Sequence, residues 1–282
     1  MVGIAIVYDI ARWEERALIE AIRARGLKPQ IIHVESTNFT IGEGLDSSID
    51  IVLQRSLSHS IALTSTILLE SSGLEVVNNS RSIAIAQDKV WALSLLSRSG
   101  IPAPKTIVSF SEVKALEAAN MLGYPVVIKP INGSWGRLVS LAPDEETLRI
   151  ILEHRLYTRN PYMKVHLIQE YVRKPGRDIR VFVVGDEVPV AIYRVSNHWI
   201  TNTARGGKAL PAPIDEELRE LSIKTAKTIG VEIAGIDIFE DNDRGYLVNE
   251  VNAIPDFRNT VPATGYNLQD KIIEYLISKI KR

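Results

Sequence analysis

Tyr124-Pro125-Val126-Val127-Ile128-Lys129-Pro130-Ile131-Asn132-Gly133-Ser134-Trp135-Gly136-Arg137 sets an apolar strand with a single charge directly before a glycine-bearing loop. A lysine inside a strand is costly unless its ammonium meets an anion. The glycines let backbone N–H groups converge on a ligand, and Arg137 adds a guanidinium. Strand and loop together form a phosphate-binding arrangement, although the same letters alone also describe a strand end and an ordinary turn.

Downstream, Gln169-Glu170-Tyr171-Val172 ends a strand in an acid and is followed by Gly176-Arg177-Asp178-Ile179-Arg180. Such an edge offers backbone groups and a carboxylate to adenine and ribose, while Arg177 and Arg180 suit phosphate or carboxylate. Taken alone it is a charged surface hairpin. Gly235-Ile236-Asp237-Ile238-Phe239 and Val248-Asn249-Glu250-Val251-Asn252 are more specific. Residues two apart in a strand share a face, so Glu250 and Asn252 point the same way, and Asp237 on the preceding strand can face them. Two carboxylates and an amide oxygen set among Val, Ile and Phe suit Mg²⁺ bridging nucleotide phosphates.

The remaining chain fits around these blocks. Its 282 residues, 45% hydrophobic, favour two or three α/β subdomains. With 33 basic against 34 acidic residues and a net charge of −1, no overall field draws the chain to nucleic acid or anionic lipid. No stretch reaches the roughly 18 apolar residues of a membrane span, and MVGIAIVYDI reads as a buried strand rather than a signal peptide. A cytoplasmic protein is expected. The absence of cysteine excludes a thiol nucleophile and Cys-built zinc sites, and five scattered histidines lack metal-ligand spacing. Strand–helix alternation up to about residue 80 predicts a small parallel sheet, with no GxGxxG and no GxxxxGK[ST] in it. A helix is expected over Asp88–Arg98, and antiparallel strands from His166 onward.

In order and spacing these blocks resemble the ATP-grasp superfamily, specifically its RimK-like branch and the LysX- and ArgX-type carrier-protein ligases within it. Supporting segments are Gly133–Ser140, Gly176–Arg180, Asn202-Thr203-Ala204-Arg205-Gly206-Gly207 and Asp256-Phe257-Arg258-Asn259-Thr260. The resemblance implies an ATP-grasp fold: an N-terminal α/β domain over residues 1–85, then two α+β subdomains over 86–165 and 166–282 that enclose ATP. It implies that Lys89 and Lys129 contact phosphate, and that Gly133, Ser134, Trp135, Gly136 and Arg137 form the glycine loop. It also implies that Gln169, Glu170, Tyr171 and Val172 form the adenine hinge with Asp178 near the ribose, and that Asp237, Glu250 and Asn252 hold Mg²⁺.

The implied reaction needs no Ser–His–Asp or Cys–His set. A carboxylate attacks the γ-phosphate of ATP, and an amine then displaces phosphate from the acyl-phosphate. Arg194, Asn202 and Arg205 are the candidates for the acceptor's carboxylates and the transferring phosphoryl group. Arg180, Asp256, Arg258, Asn259 and Thr260 complete the expected substrate contacts. Such ligases join an acidic amino acid to the C-terminal glutamate of a small LysW-like carrier protein, using α-aminoadipate in LysX-type members and glutamate in ArgX-type ones. The Asn259-Thr260 pair matches the LysX pattern, where ArgX-type members have Gly-Phe. A RimK-like glutamate ligase, or an ATP-binding regulator without turnover, are the competing readings. Neither nucleic acid nor membrane is expected as a partner, and a homo-oligomer is.

Overall fold

The computed structural model describes residues 2–280 apart from 44, 46, 47, 134, 135 and 203–205. The chain opens with β1 (Ile4–Tyr8), α1 (Trp13–Ala24), β2 (Gln30–His33), β3 (Ile51–Gln54), α2 (His59–Ser71) and β4 (Glu75–Val77). The strands pair in parallel in the order β2-β1-β3-β4. Their near-continuous apolar runs suit a sheet covered on both faces. Ala5, Val7, Val52 and Val76 meet Leu69 of α2 on one side, while Ile4, Ile6, Ile51 and Leu53 meet Leu18 and Ile22 of α1 on the other.

Two helices follow, α3 (Ser80–Gln87) and α4 (Lys89–Arg98). Sequence spacing predicts only the second. Asn79 caps α3 by accepting from the Ser82 N–H, and Asp88 ends α3 while capping α4 through the Val90 and Trp91 N–H groups. Two short helices back to back leave too few residues for a readable period.

A four-stranded antiparallel sheet then forms from β5 (Thr106–Ser109), β6 (Val126–Lys129), β7 (Ser140–Ala142) and β8 (His166–Glu170), in the order β5-β8-β6-β7. Helices α5 (Glu112–Leu122) and α6 (Glu145–Leu156) cover it, burying Leu116, Leu148 and Leu152 against Val126, Ile128 and Ile168. Strand β8, which the sequence groups with the strands after it, hydrogen-bonds to β5 and β6 instead.

The second antiparallel sheet has five strands: β9 (Arg177–Val184), β10 (Glu187–Val195), β11 (Lys208–Pro211), β12 (Ile233–Asp241) and β13 (Gly245–Asn252), ordered β11-β10-β9-β12-β13. Helix α7 (Glu216–Ile229) packs with α3 and α4 on one face, around Ile83, Leu96, Val181 and Ile236. Helices α8 (Thr260–Thr264) and α9 (Leu268–Ile280) end the chain. Ile272, Ile273 and Leu276 of α9 fill the other face beside Phe182 and Val184, and join the core under β1 and α1. The N-terminal sheet and the five-stranded sheet therefore share one apolar core, while the four-stranded sheet has its own. Among the described residues no helix is long and apolar enough to cross a membrane.

Candidate active site

A cleft of about 720 Å³ runs between the N-terminal sheet and the two antiparallel sheets. It adjoins a narrow pocket of about 70 Å³ between the four- and five-stranded sheets, and Gly133, Arg137, Asn202, Asp237 and Glu250 line both. The lysines singled out from the sequence meet here. Lys129 closes β6, is 8% exposed, and donates from Nζ to Asn249 Oδ1 at 2.7 Å. Burial pushes its ammonium down to about 8, and Lys89 and Lys174 push the same way, against the attraction of Glu250 and Asp237. Lys89, at the first position of α4, donates to the Gly133 carbonyl at 2.8 Å and lies 3.5 Å from Glu250. Gly133 adopts φ +140°, a backbone conformation open to glycine, so the loop entry depends on that residue.

The carboxylates lie as the strand alternation predicts. Asp237 stands opposite Glu250 in the β12–β13 register. The next pair joins Ile238 to Val248, so Asn249 is the extra residue of a bulge. Simple alternation would turn Asn249 away from Glu250; the bulge lets its amide reach Lys129. Asp237 is buried, with its oxygens taken by Arg180 and by Arg194 at 2.9 Å. Burial opposes its charge, but the two guanidiniums hold its carboxyl below the usual range. Asn252 donates to the Gly235 carbonyl at 3.3 Å. Among the described residues no three His, Cys, Asp or Glu side chains gather as a metal cluster. The oxygen donors of Glu250, Asp237 and Asn252 nevertheless suit Mg²⁺, which takes one or two carboxylates and completes its shell with phosphates and water.

Asp178 is buried against Arg194 in a two-point contact of 2.7 and 2.9 Å, and accepts from the Thr201 hydroxyl at 2.5 Å. Arg194 thus bridges Asp178 and Asp237 while lining the cleft. In the segment expected to form the hinge, Gln169 donates to Thr106 at 2.9 Å, and Glu170 accepts from the Lys105 N–H at 2.7 Å and from Arg244 at 2.6 Å. Tyr171 stands edge-on to Trp199, and Val172 is buried in the pocket wall. Gly136 and Asn202 line the pocket, whereas Ser134, Trp135 and Arg205 fall outside the described residues.

The expected substrate residues Asp256, Arg258, Asn259 and Thr260 line the far end of the cleft. Arg12 binds Asp256, and the Glu14 carboxylate accepts the N–H groups of Phe257 and Arg258 at 3.2 and 3.0 Å. Asn259 precedes α8 as its N-cap, and Thr260 is 1% exposed with no hydrogen-bond partner at Oγ1 among the described residues.

Several cleft residues escaped the sequence reading. Asn249 needed the bulge. Arg12, Glu14, Ser56 and His59 come from the N-terminal unit, about 200 residues away in the chain, and no local pattern marks them. Burial, and secondarily Lys89, lower the basicity of His59. Lys174, held by Thr201 at 2.8 Å and 4.7 Å above the Phe239 ring, also lines the narrow pocket.

Known proteins resemble this chain over nearly its whole length. A RimK-like ATP-grasp domain model matches residues 86–276, and a LysX preATP-grasp domain model matches residues 4–85. The alpha-aminoadipate–LysW ligase LysX of Sulfurisphaera tokodaii is 47% identical, covering 99% of this chain and 98% of its own. The glutamate–LysW ligase ArgX of the same organism is 36% identical, covering 97% of each. Among solved structures, a RimK domain ATP-grasp protein from Sphaerobacter thermophilus superposes with a TM-score of 0.81 at 25% identity, covering 97% of this chain and 99% of its own.

Proposed function

This chain belongs to the RimK-like ATP-grasp family and is an ATP-dependent ligase, and from that premise we propose that its acceptor is α-aminoadipate, joined to the C-terminal glutamate of a small carrier protein. One observation carries the choice of acceptor: the Asn259-Thr260 pair in the cleft wall, with a buried hydroxyl that has no partner among the described residues. A methylene alone discriminates poorly, whereas donors left unpaired by a shorter substrate discriminate well. The full-length likeness to LysX supports the same reading.

The side-chain carboxylate of the carrier's last residue attacks the γ-phosphorus of ATP. The bond to ADP breaks, leaving an acyl-phosphate. The neutral amine of the amino acid then adds to the acyl carbon, and collapse of the tetrahedral intermediate expels phosphate. Lys89 and Lys129 neutralise phosphate charge, and Asn249 fixes the Lys129 ammonium. Glu250, Asp237 and Asn252 would hold Mg²⁺, which supplies further charge neutralisation at the transferring phosphoryl group.

The test supplies the enzyme with Mg-ATP, a carrier protein ending in glutamate, and one amino acid at a time. ADP release and a carrier mass increase with α-aminoadipate are expected. Release with glutamate alone overturns the choice of acceptor, and release with no dependence on carrier overturns the reaction.

A further inference from the structure

The N-terminal unit contributes more than a scaffold. Its strand order β2-β1-β3-β4 reverses direction between β1 and β3, and ligands of open parallel sheets bind outside the carboxyl ends at such a reversal. Here that crevice opens into the large cleft, with Arg12 beyond β1 and Ser56 beyond β3 in its wall. Ser56 is 1% exposed, and its Oγ has no hydrogen-bond partner among the described residues.

Its surroundings hold it still. The Ser56 N–H donates to Gln54 Oε1 at 2.7 Å, and the Gln54 amide is itself anchored by Ala62, Ser65 and Thr66. The next two amides, of Leu57 and Ser58, are spent on the Asp9 carboxylate at 2.8 and 2.9 Å. Arg55 reaches across to the Pro255 carbonyl at 3.0 Å, fixing this turn to the segment that leads into Thr260. Two buried hydroxyls without partners among the described residues, Ser56 and Thr260, therefore line one cleft from two units of the fold. A buried hydroxyl left unsatisfied costs stability, and native proteins keep few of them. A carboxylate has two oxygens and accepts from both.

We propose that Ser56 is a specificity-determining residue whose hydroxyl, together with that of Thr260, hydrogen-bonds the side-chain carboxylate of the acceptor amino acid. This rests on the reading that the acceptor is a dicarboxylic amino acid. Lys129 and Gln169, Glu170, Tyr171 and Val172, the residues expected to serve the nucleotide, line the adjoining pocket, which neither Ser56 nor Thr260 lines, so the two ligands would not compete for these hydroxyls.

The experiment compares wild type, Ser56→Ala, Thr260→Val and the double variant by ADP release at varied amino acid and varied ATP, with carrier present. Each single variant should lose about tenfold or more in kcat/KM for the amino acid, the scale of one hydrogen bond to a charged group. KM for ATP should not change. The nucleotide-free Ser56→Ala protein should melt no lower than wild type, because an unpaired hydroxyl has been removed. The double variant should depart several-fold from the product of the singles, since both donors serve one group. Unchanged acceptor kinetics in Ser56→Ala, equal losses for ATP and amino acid, or a multiplicative double variant each overturn the proposal. Should Ser56→Ala fail to fold, Ser56→Cys keeps the shape with a weak donor and must show the same loss. Wild type inactive with every dicarboxylic acceptor refutes the parent reading, whereas an active wild type with an indifferent Ser56→Ala refutes only the role of Ser56.

Discussion

Replacing Lys129 with Met should stabilise the nucleotide-free enzyme while weakening its grip on ATP. The lysine lies in β6 at 8% exposure, and burial lowers it from 10.5 to about 8. At about 1.4 kcal/mol per pH unit, that drop corresponds to roughly 3 kcal/mol spent in keeping the ammonium charged. Met has similar length and no charge, so it removes this cost. It also strips Asn249 Oδ1 of its donor, which returns about 1 kcal/mol or more. A net gain of about 1–2 kcal/mol is expected in denaturant melts of the free protein. The sign with pH follows. Between about pH 8 and 10.5 the folded wild type binds fewer protons than the unfolded chain, so its stability rises with pH there and the advantage of the variant shrinks. Nucleotide affinity moves the opposite way. Losing a charged hydrogen bond to phosphate costs about 1.5–3 kcal/mol, or roughly 10- to 150-fold in Kd by calorimetry. A variant that melts lower than wild type, or that binds ATP unchanged, refutes the reasoning.

Glu250→Gln should cut turnover by about a hundredfold or more, the scale of one lost transition-state electrostatic partner, with the melt preserved; near-normal rates in limiting Mg²⁺ would contradict the metal role. Arg194→Met leaves Asp178 and Asp237 short of a partner, so a stability loss of about 3–5 kcal/mol is expected in chemical denaturation. In wild type the lowered Asp237 carboxyl contributes stability above the usual carboxylate range that is lost as pH falls. Without Arg194 one of the two cations that lower this carboxyl is gone, so the deficit should shrink as pH falls through the carboxylate range, and a pH-independent deficit would count against the buried network. Asn259→Gly with Thr260→Phe should shift the ratio of kcat/KM for α-aminoadipate over glutamate towards glutamate by about tenfold or more; an unmoved ratio would remove these two residues from acceptor choice.

What the sequence made legible followed from local chemistry. Lys129 stood out because a charge interrupts an apolar strand, and Asp237 with Glu250 because two acids interrupt two more. The remainder depended on tertiary structure. Helix α3 is eight residues long and only Asp88, which caps both helices, separates it from α4, so its period is never expressed. Strand β8 is apolar like β9, and nothing in its letters assigns it to one sheet over the other. Asn249 sits in a readable motif, yet its direction depends on a bulge. Ser56, Arg12 and Glu14 enter the cleft only because Arg55 meets Pro255 and Asn78 holds the Ala253 carbonyl, contacts 200 and 175 residues apart.

Those long-range contacts set the order in which the protein can be completed during synthesis. The first 85 residues leave the ribosome with their strands and α1 in hand, but Ile4, Ile6, Leu18 and Ile22 share their core with Ile272, Ile273 and Leu276. Glu14 likewise waits for the amides of Phe257 and Arg258. At about 5–20 residues per second, the interval before those segments emerge is on the order of 10–40 s. Throughout it the nascent chain carries an uncovered apolar surface, the kind that chaperones hold and that aggregates when unguarded. An N-terminal fragment expressed alone should therefore be insoluble or collapsed without fixed packing, although its parallel sheet is complete.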